Sequence, residues 1–161
     1  MSPTRPRLLL VQRQTGPVMQ RIEQSFSIAP VPDHRLTTRE LLDMARAFQP
    51  QAIMTATGLP LRGDNVAQLP DCVKVVATVS VGTDHLDIPA LHARGIIVTN
   101  TPDVLTECNA DMAMLLMLAA ARRAGEYTTL MRAGWGRGLA MDEMLGTRIS
   151  GKRLGIVGMG R

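Results

Sequence analysis

The stretch VKVVATV, Val73–Val79, constrains the fold more than any other part of the chain. Valine dominates it, and its near-continuous apolar character suits a central strand buried on both faces of a parallel sheet. Parallel strands cannot be joined by tight hairpins, so crossover helices must alternate with them. The chain carries that alternation. Arg7–Gln12 (RLLLVQ) reads as a first strand, Pro17–Ser25 as a helix and Ser27–Val31 as a weak second strand. Thr38–Phe48 follows as a helix, with Thr37 or Thr38 as its cap and Glu40 in its first turn. Ala52–Thr55 is a third strand, closed by the turn Thr57-Gly58-Leu59-Pro60, and Val73–Val79 is the fourth. Asp87-Ile88-Pro89 then caps a short helix, Gly95 marks its stop, and Ile96–Thr99 is a fifth strand.

From Thr106 a long helix is expected to run to about Arg132. Its middle, MAMLLMLAAA (Met112–Ala121), is apolar on every side, which predicts burial all round. An irregular stretch from Gly134 to Gly146 precedes a last strand at Arg153–Val157. Five β/α units and an exit helix make an α/β domain of flavodoxin-like type, a doubly wound parallel five-stranded sheet. The sixth strand then belongs to something else.

Composition narrows the functional classes. The formal charge is +4, and of the 18 basic residues only Lys74 and Lys152 are lysines, leaving 16 arginines (18 − 2) scattered along the chain. With no basic block and 2% aromatic residues, the chain lacks the footprint of a nucleic-acid binder. Cys72 and Cys108 share no CxxC or Cys/His spacing, so neither a disulfide framework nor a metal site is expected. The first apolar run is too short for a signal peptide, and Met112–Ala121 is about half of what a membrane helix needs. The expectation is a cytoplasmic protein with no membrane partner.

In parallel α/β sheets ligands bind beyond the carboxyl ends of the strands, so chemistry is sought in those loops. SVGTD, Ser80–Asp84, leaves the best strand at that end. A positive φ at Gly82 would turn successive N–H groups inward around an anion such as a carboxylate; the plainer reading is a glycine that only turns the chain. Thr106, in TNTPDVLTE, is placed to cap the long helix or to offer its hydroxyl to a ligand. Cys108 lies in the same first turn and reads as inert packing, and His34, His85 and His92 read as solvated surface residues. The terminal LGIVGMGR places Gly158 and Gly160 after a strand-like run, as a dinucleotide-binding turn does, although no helix follows to close a phosphate site.

Two blocks, VSVGTDHLDIPALHARGIIVTNTPDVLTECNADMAMLLMLAAARR and GTRISGKRLGIVGMGR, together resemble the amino-terminal half of the D-isomer-specific 2-hydroxyacid dehydrogenases, nearest to the glyoxylate/hydroxypyruvate reductase branch. The resemblance covers essentially the whole chain. It implies a substrate-binding (catalytic) domain at 1–105, a long interdomain helix at 106–133, and at 134–161 a linker with the first strand of a truncated Rossmann domain that binds NAD or NADP. It implies hydride transfer between the nicotinamide and the 2-position of a small 2-oxo or 2-hydroxy acid. Val81 and Gly82 match the backbone loop that holds the substrate carboxylate, and Thr106 matches a hydroxyl beside the cofactor. Gly158, Gly160 and Arg161 match the opening of the cofactor turn, where the arginine reaches the pyrophosphate.

The family's catalytic arginine, glutamate and histidine belong to its later half, so no catalytic residue is expected among these 161. The chain alone is therefore expected to be inactive and to bind no nicotinamide, and the full-length protein to be a homodimer. The competing reading is a stand-alone flavodoxin-like module that binds or oligomerises without catalysis. Gln12-Arg13 and Thr55-Ala56 stand where a receiver domain needs acids, which argues against phosphotransfer.

Overall fold

A computed structural model describes residues 5–160. The elements in chain order are β1 (Arg7–Leu10), α1 (Gly16–Ser25), β2 (Ser27–Ile28), α2 (Thr38–Phe48), β3 (Ala52–Thr55), α3 (Asp64–Ala67), β4 (Val75–Thr78), α4 (Ile88–Ala93), β5 (Ile97–Thr99), α5 (Thr106–Ala121) and α6 (Ala124–Arg132). The five strands form one sheet of order β2-β1-β3-β4-β5, and every pairing is parallel. That is the flavodoxin-like order, with its topological switch between β1 and β3. The five strands expected of the sheet are present, with β3 at the expected bounds and the others shorter. The one-turn helix α3, introduced by Gly63, had no clear signal in the sequence.

Contacts divide the chain into two compact units, residues 1–103 and 104–161. In the first, α2 shows why the local sequence folds as it does. The Thr37 hydroxyl accepts from the Glu40 N–H, and the Glu40 carboxylate accepts in return from the Thr37 N–H at 2.8 Å, a complete capping box. Leu41, Leu42 and Ala45 then face the sheet while Arg39, Asp43 and Arg46 face water. The Asp87 carboxylate caps α4 by accepting from the Ala90 N–H at 3.0 Å, and Gly95, at φ +69°, ends it.

Strand alternation splits the core into two layers. Leu9, Ile53 and Val76 point into the larger, with Leu41 and Leu91 from the helices; Leu8 and Leu10 point into the smaller, with Met19 and Ile22 of α1. The smaller layer ends at β3. The expectation of a fourth strand buried on both faces is corrected accordingly: Val76 and Thr78 are buried, but Val75 and Ala77 are only half-buried, because α1 does not reach them.

In the second unit, the single long helix expected from Thr106 is two helices. Arg123 adopts a left-handed φ of +54° between them, and the Thr147 N–H donates to the Ala121 carbonyl at 2.7 Å. In a continuous helix that carbonyl would accept from the N–H of Gly125, itself a poor residue for a helix interior. The expected burial of the apolar helix is also overturned. No residue of α5 is buried, and Leu115 and Leu116 are 58% and 60% exposed. Within this unit only α6 makes a substantial packing contact with α5, so most of its surface has no second layer.

Cys108, expected to pack, is exposed. Past α6 the chain is held locally, Arg137 pairing with the Glu143 carboxylate. Arg153–Val157 forms no strand among the described residues, and Leu154 and Ile156 are exposed. A strand needs a neighbour for its N–H and C=O groups, and none is formed beside it. No helix of the described residues is long and apolar enough to cross a membrane.

Candidate functional site

The loop that leaves β4 is built by its own hydroxyls and by the loop after β5. Thr55 and Thr78 are paired in register, and the Val79 N–H donates to the Thr55 carbonyl at 2.9 Å, carrying the pairing one residue past the ladder. The Thr78 hydroxyl lies 2.7 Å from that of Ser80 and 2.9 Å from Nε2 of His85. The Ser80 hydroxyl in turn donates to the Gly82 carbonyl at 2.7 Å. From the next loop, the Thr101 N–H donates to the Ser80 carbonyl at 3.0 Å and the Asn100 side-chain amide to the Val81 carbonyl at 2.9 Å. Three consecutive carbonyls, at residues 80, 81 and 82, are therefore engaged.

The N–H groups of Val81 and Gly82 have no backbone carbonyl acceptor among the described residues, and both residues are exposed. A free pair of N–H donors at the carboxyl edge of a parallel sheet can receive an anion. The expected means differs. Gly82 does not take a positive φ, so its backbone makes no left-handed nest. The loop is shaped by its engaged carbonyls instead. A side chain at position 82 would meet the Asp84 carboxylate, 3.3 Å from the place of a Cβ. That carboxylate opposes any anion bound beside it, and its exposure weakens the opposition by solvent screening.

His85 corrects a further expectation. His34 and His92 are exposed as expected, but His85 is half-buried with its ring against Thr78. Burial holds its pKa below the ordinary histidine value; Asp84 acts in the opposite direction and Arg62 reinforces the shift. Thr78, Ser80, His85 and Asn100 are the site residues that sequence reading passed over. The signal was present for two of them: Thr78 and Ser80, two apart in an extended segment, share one face. The Thr55 hydroxyl, on the neighbouring strand, is buried without a hydrogen-bond partner among the described residues.

The remaining expected site residues lie in the second unit. Thr106 is the first residue of α5 and not its cap; Leu105 holds the cap position and no side chain caps the helix. The correction is one residue, because the chain enters through a turn over 102–105. Gly158 has φ +80°, a conformation that suits glycine, while Gly160 is exposed. Arg161 lies outside the described residues. Among the described residues no three His, Cys, Asp or Glu side chains gather as a metal site would need.

The sequence pattern described as D-isomer specific 2-hydroxyacid dehydrogenase, catalytic domain, matches residues 9–151. The chain belongs to this family. Glycerate dehydrogenase of Hyphomicrobium methylovorum is 35% identical over 143 residues, which cover 88% of this chain and 44% of the relative. Glyoxylate/hydroxypyruvate reductase B of Citrobacter koseri is 34% identical over 158 residues, 98% of this chain and 48% of that protein. Among solved structures, a glyoxylate reductase from Paecilomyes thermophila superposes with a TM-score of 0.73 at 27% identity, covering 98% of this chain and 49% of that one. A second solved structure, of a protein from Thermus thermophilus, reaches a TM-score of 0.76 at 30% identity, with 88% and 45% covered. The chain thus spans about half the length of the 2-hydroxyacid dehydrogenases it matches, and the five-stranded parallel sheet is the shared fold.

Proposed function

We propose that this chain supplies the substrate-binding portion of an oxidoreductase that transfers hydride between NAD(P)H and a small 2-oxo or 2-hydroxy acid such as glyoxylate or hydroxypyruvate. Residues 1–105 hold the acid, 106–133 connect, and 134–161 lead into a nucleotide-binding portion. The N–H groups of Val81 and Gly82 receive the substrate carboxylate. The observation that carries this reading is that donor pair, free of backbone acceptors and exposed at the carboxyl edge of the sheet in a member of this family.

Thr106, Gly158, Gly160 and Arg161 belong to the cofactor side. Gly158 fits the turn of a dinucleotide site through its positive φ, and a nicotinamide bound there would supply the hydride. The whole protein acts as a homodimer.

The test is a titration of the isotope-labelled 161-residue chain with glyoxylate, against sodium chloride at matched ionic strength. The amide signals of Val81 and Gly82 should move with glyoxylate and stay with chloride. Gly82→Val, whose side chain would crowd the Asp84 carboxylate 3.3 Å from the place of a Cβ, should weaken that binding. Asp84→Asn should strengthen it by removing the opposing charge. Signals at 81 and 82 that ignore glyoxylate would leave a flavodoxin-like module with no acid site at this edge.

A further inference from the structure

We infer that His85, Thr78 and Ser80 form a hydrogen-bond relay of one fixed direction, running from the His85 ring to the Gly82 carbonyl, and that this relay sets the conformation of the Val81–Gly82 loop. The inference concerns loop geometry; its meaning for substrate rests on the carboxylate reading above.

The direction follows from counting protons. The Gly82 carbonyl has none, so at 2.7 Å the Ser80 hydroxyl must donate to it. A serine hydroxyl carries one proton. With that proton committed, Ser80 can only accept from Thr78 in their 2.7 Å contact. The single Thr78 proton is then committed as well, and the 2.9 Å contact between Thr78 and His85 has to be filled by a ring N–H. The neutral ring must therefore be the Nε2–H tautomer, with Nδ1 bare. The opposite tautomer would draw the Thr78 proton toward the ring and leave two hydroxyl oxygens facing each other at 2.7 Å with no proton between them. Water is poorly placed to relieve that conflict, since Thr78 is 2% and Ser80 8% exposed. Protonation of Nδ1 would keep Nε2 a donor, so the relay survives it unchanged in direction.

The consequence is local and geometric. Peptide groups are planar, so holding a carbonyl holds the N–H of the next residue with it. Asn100 holds the plane between residues 81 and 82 through the Val81 carbonyl, and Ser80 holds the plane between 82 and 83 through the Gly82 carbonyl. Those two planes flank the Cα of Gly82, so together they fix both its dihedrals. A glycine left to itself would sample many conformations. His85 anchors the far end: its own carbonyl accepts from the Leu61 N–H at 2.9 Å, tying the ring's backbone to the loop after β3. Thr78, Ser80 and His85 are thus positioning residues for the loop at Gly82, while the two N–H groups of the donor pair lie in the planes held by Thr101 and Asn100.

The tautomer is read directly by long-range proton–nitrogen correlation on the labelled 161-residue chain above neutral pH. The expected result is Nε2 protonated and Nδ1 bare at His85, and an Nδ1–H tautomer would overturn the relay. Ser80→Ala should shift the amide signals of Gly82 and Thr83 and weaken glyoxylate binding by about two- to tenfold, the range for one neutral hydrogen bond. Ser80→Thr, which keeps the hydroxyl, should restore both. His85→Gln keeps a side-chain N–H and should preserve the loop signals, whereas His85→Leu should disturb them as Ser80→Ala does. Loop signals unmoved in both Ser80→Ala and His85→Leu would also overturn the inference. A chain with the expected tautomer and loop signals that binds no glyoxylate would instead refute the carboxylate reading and leave the relay standing.

Discussion

Helices α2 and α5 make an instructive pair. Each begins at a threonine and each is rich in apolar side chains, yet one is a packed element and the other has no buried residue. In α2 the apolar residues fall on one side, the helix has a complete capping box, and Leu41 and Ala45 are fully buried. In α5 the apolar residues surround the axis and no cap bond forms. The same division runs through the whole chain: every buried hydrophobic residue among those described lies between Leu8 and Ile96. Apolar content alone therefore does not make a core. A helix with one apolar face specifies the layer it packs on, while one that is apolar all round needs neighbours on every side.

The largest test of this contrast lies in the core. Ile53→Ala should cost about 2–5 kcal/mol, the usual toll for emptying a fully buried aliphatic site. Leu116→Ala, at an exposed site of α5, should change stability by less than about 0.5 kcal/mol. Urea unfolding of the two variants beside the parent chain makes the comparison. Equal losses would mean that α5 is packed in solution.

The caps sharpen the same contrast at a smaller scale. Thr37→Ala removes a hydroxyl that accepts from the Glu40 N–H and should cost about 1 kcal/mol. Thr106→Ala removes no cap bond and should be near neutral by the same unfolding measurement. A comparable loss at Thr106 would show that its hydroxyl has a structural partner.

The smallest expected effect is pH-dependent and belongs to the first unit alone. His85 should titrate below the ordinary histidine value, chiefly because burial penalises its charged form. The unfolded chain then binds the proton more readily than the folded one. Stability should be at full value above the ordinary histidine pKa, fall as the pH drops through it toward the folded value, and level off below that. A ring-proton titration with unfolding curves on both sides of the window checks this, and replacing His85 by Gln should flatten that component. A His85 midpoint at or above the ordinary value would contradict the half-buried setting.

Much of the first unit was legible in the residues. Thr37, Glu40, Asp87 and Gly95 are local signals whose action is confined to one helical turn, so helix ends at α2 and α4 could be read without knowing the fold. The loop after β4 could be located because it follows the most strand-like segment. Its internal chemistry could not. His85 is seven residues from Thr78 and Asn100 is nineteen from Val81, and only the turn of the loop and the pairing of β4 with β5 bring them together. The expected positive φ at Gly82 failed for the same reason. Glycine permits that conformation, but the bonds on neighbouring carbonyls decided otherwise.

By itself, then, the sequence determined the order and type of the first unit's elements other than α3, because helix caps, turn glycines and strand-forming runs act over a few residues. It also carried the family, through motifs in which residue type and spacing are sufficient. Tertiary structure decided which apolar residues are buried, where the helix after Thr106 breaks, and that Arg153–Val157 forms no strand. It also decided how Thr78, Ser80 and His85 meet. Burial, ladder pairing and side-chain hydrogen bonding each require a partner from elsewhere in the chain, and a run of residues does not name its partner.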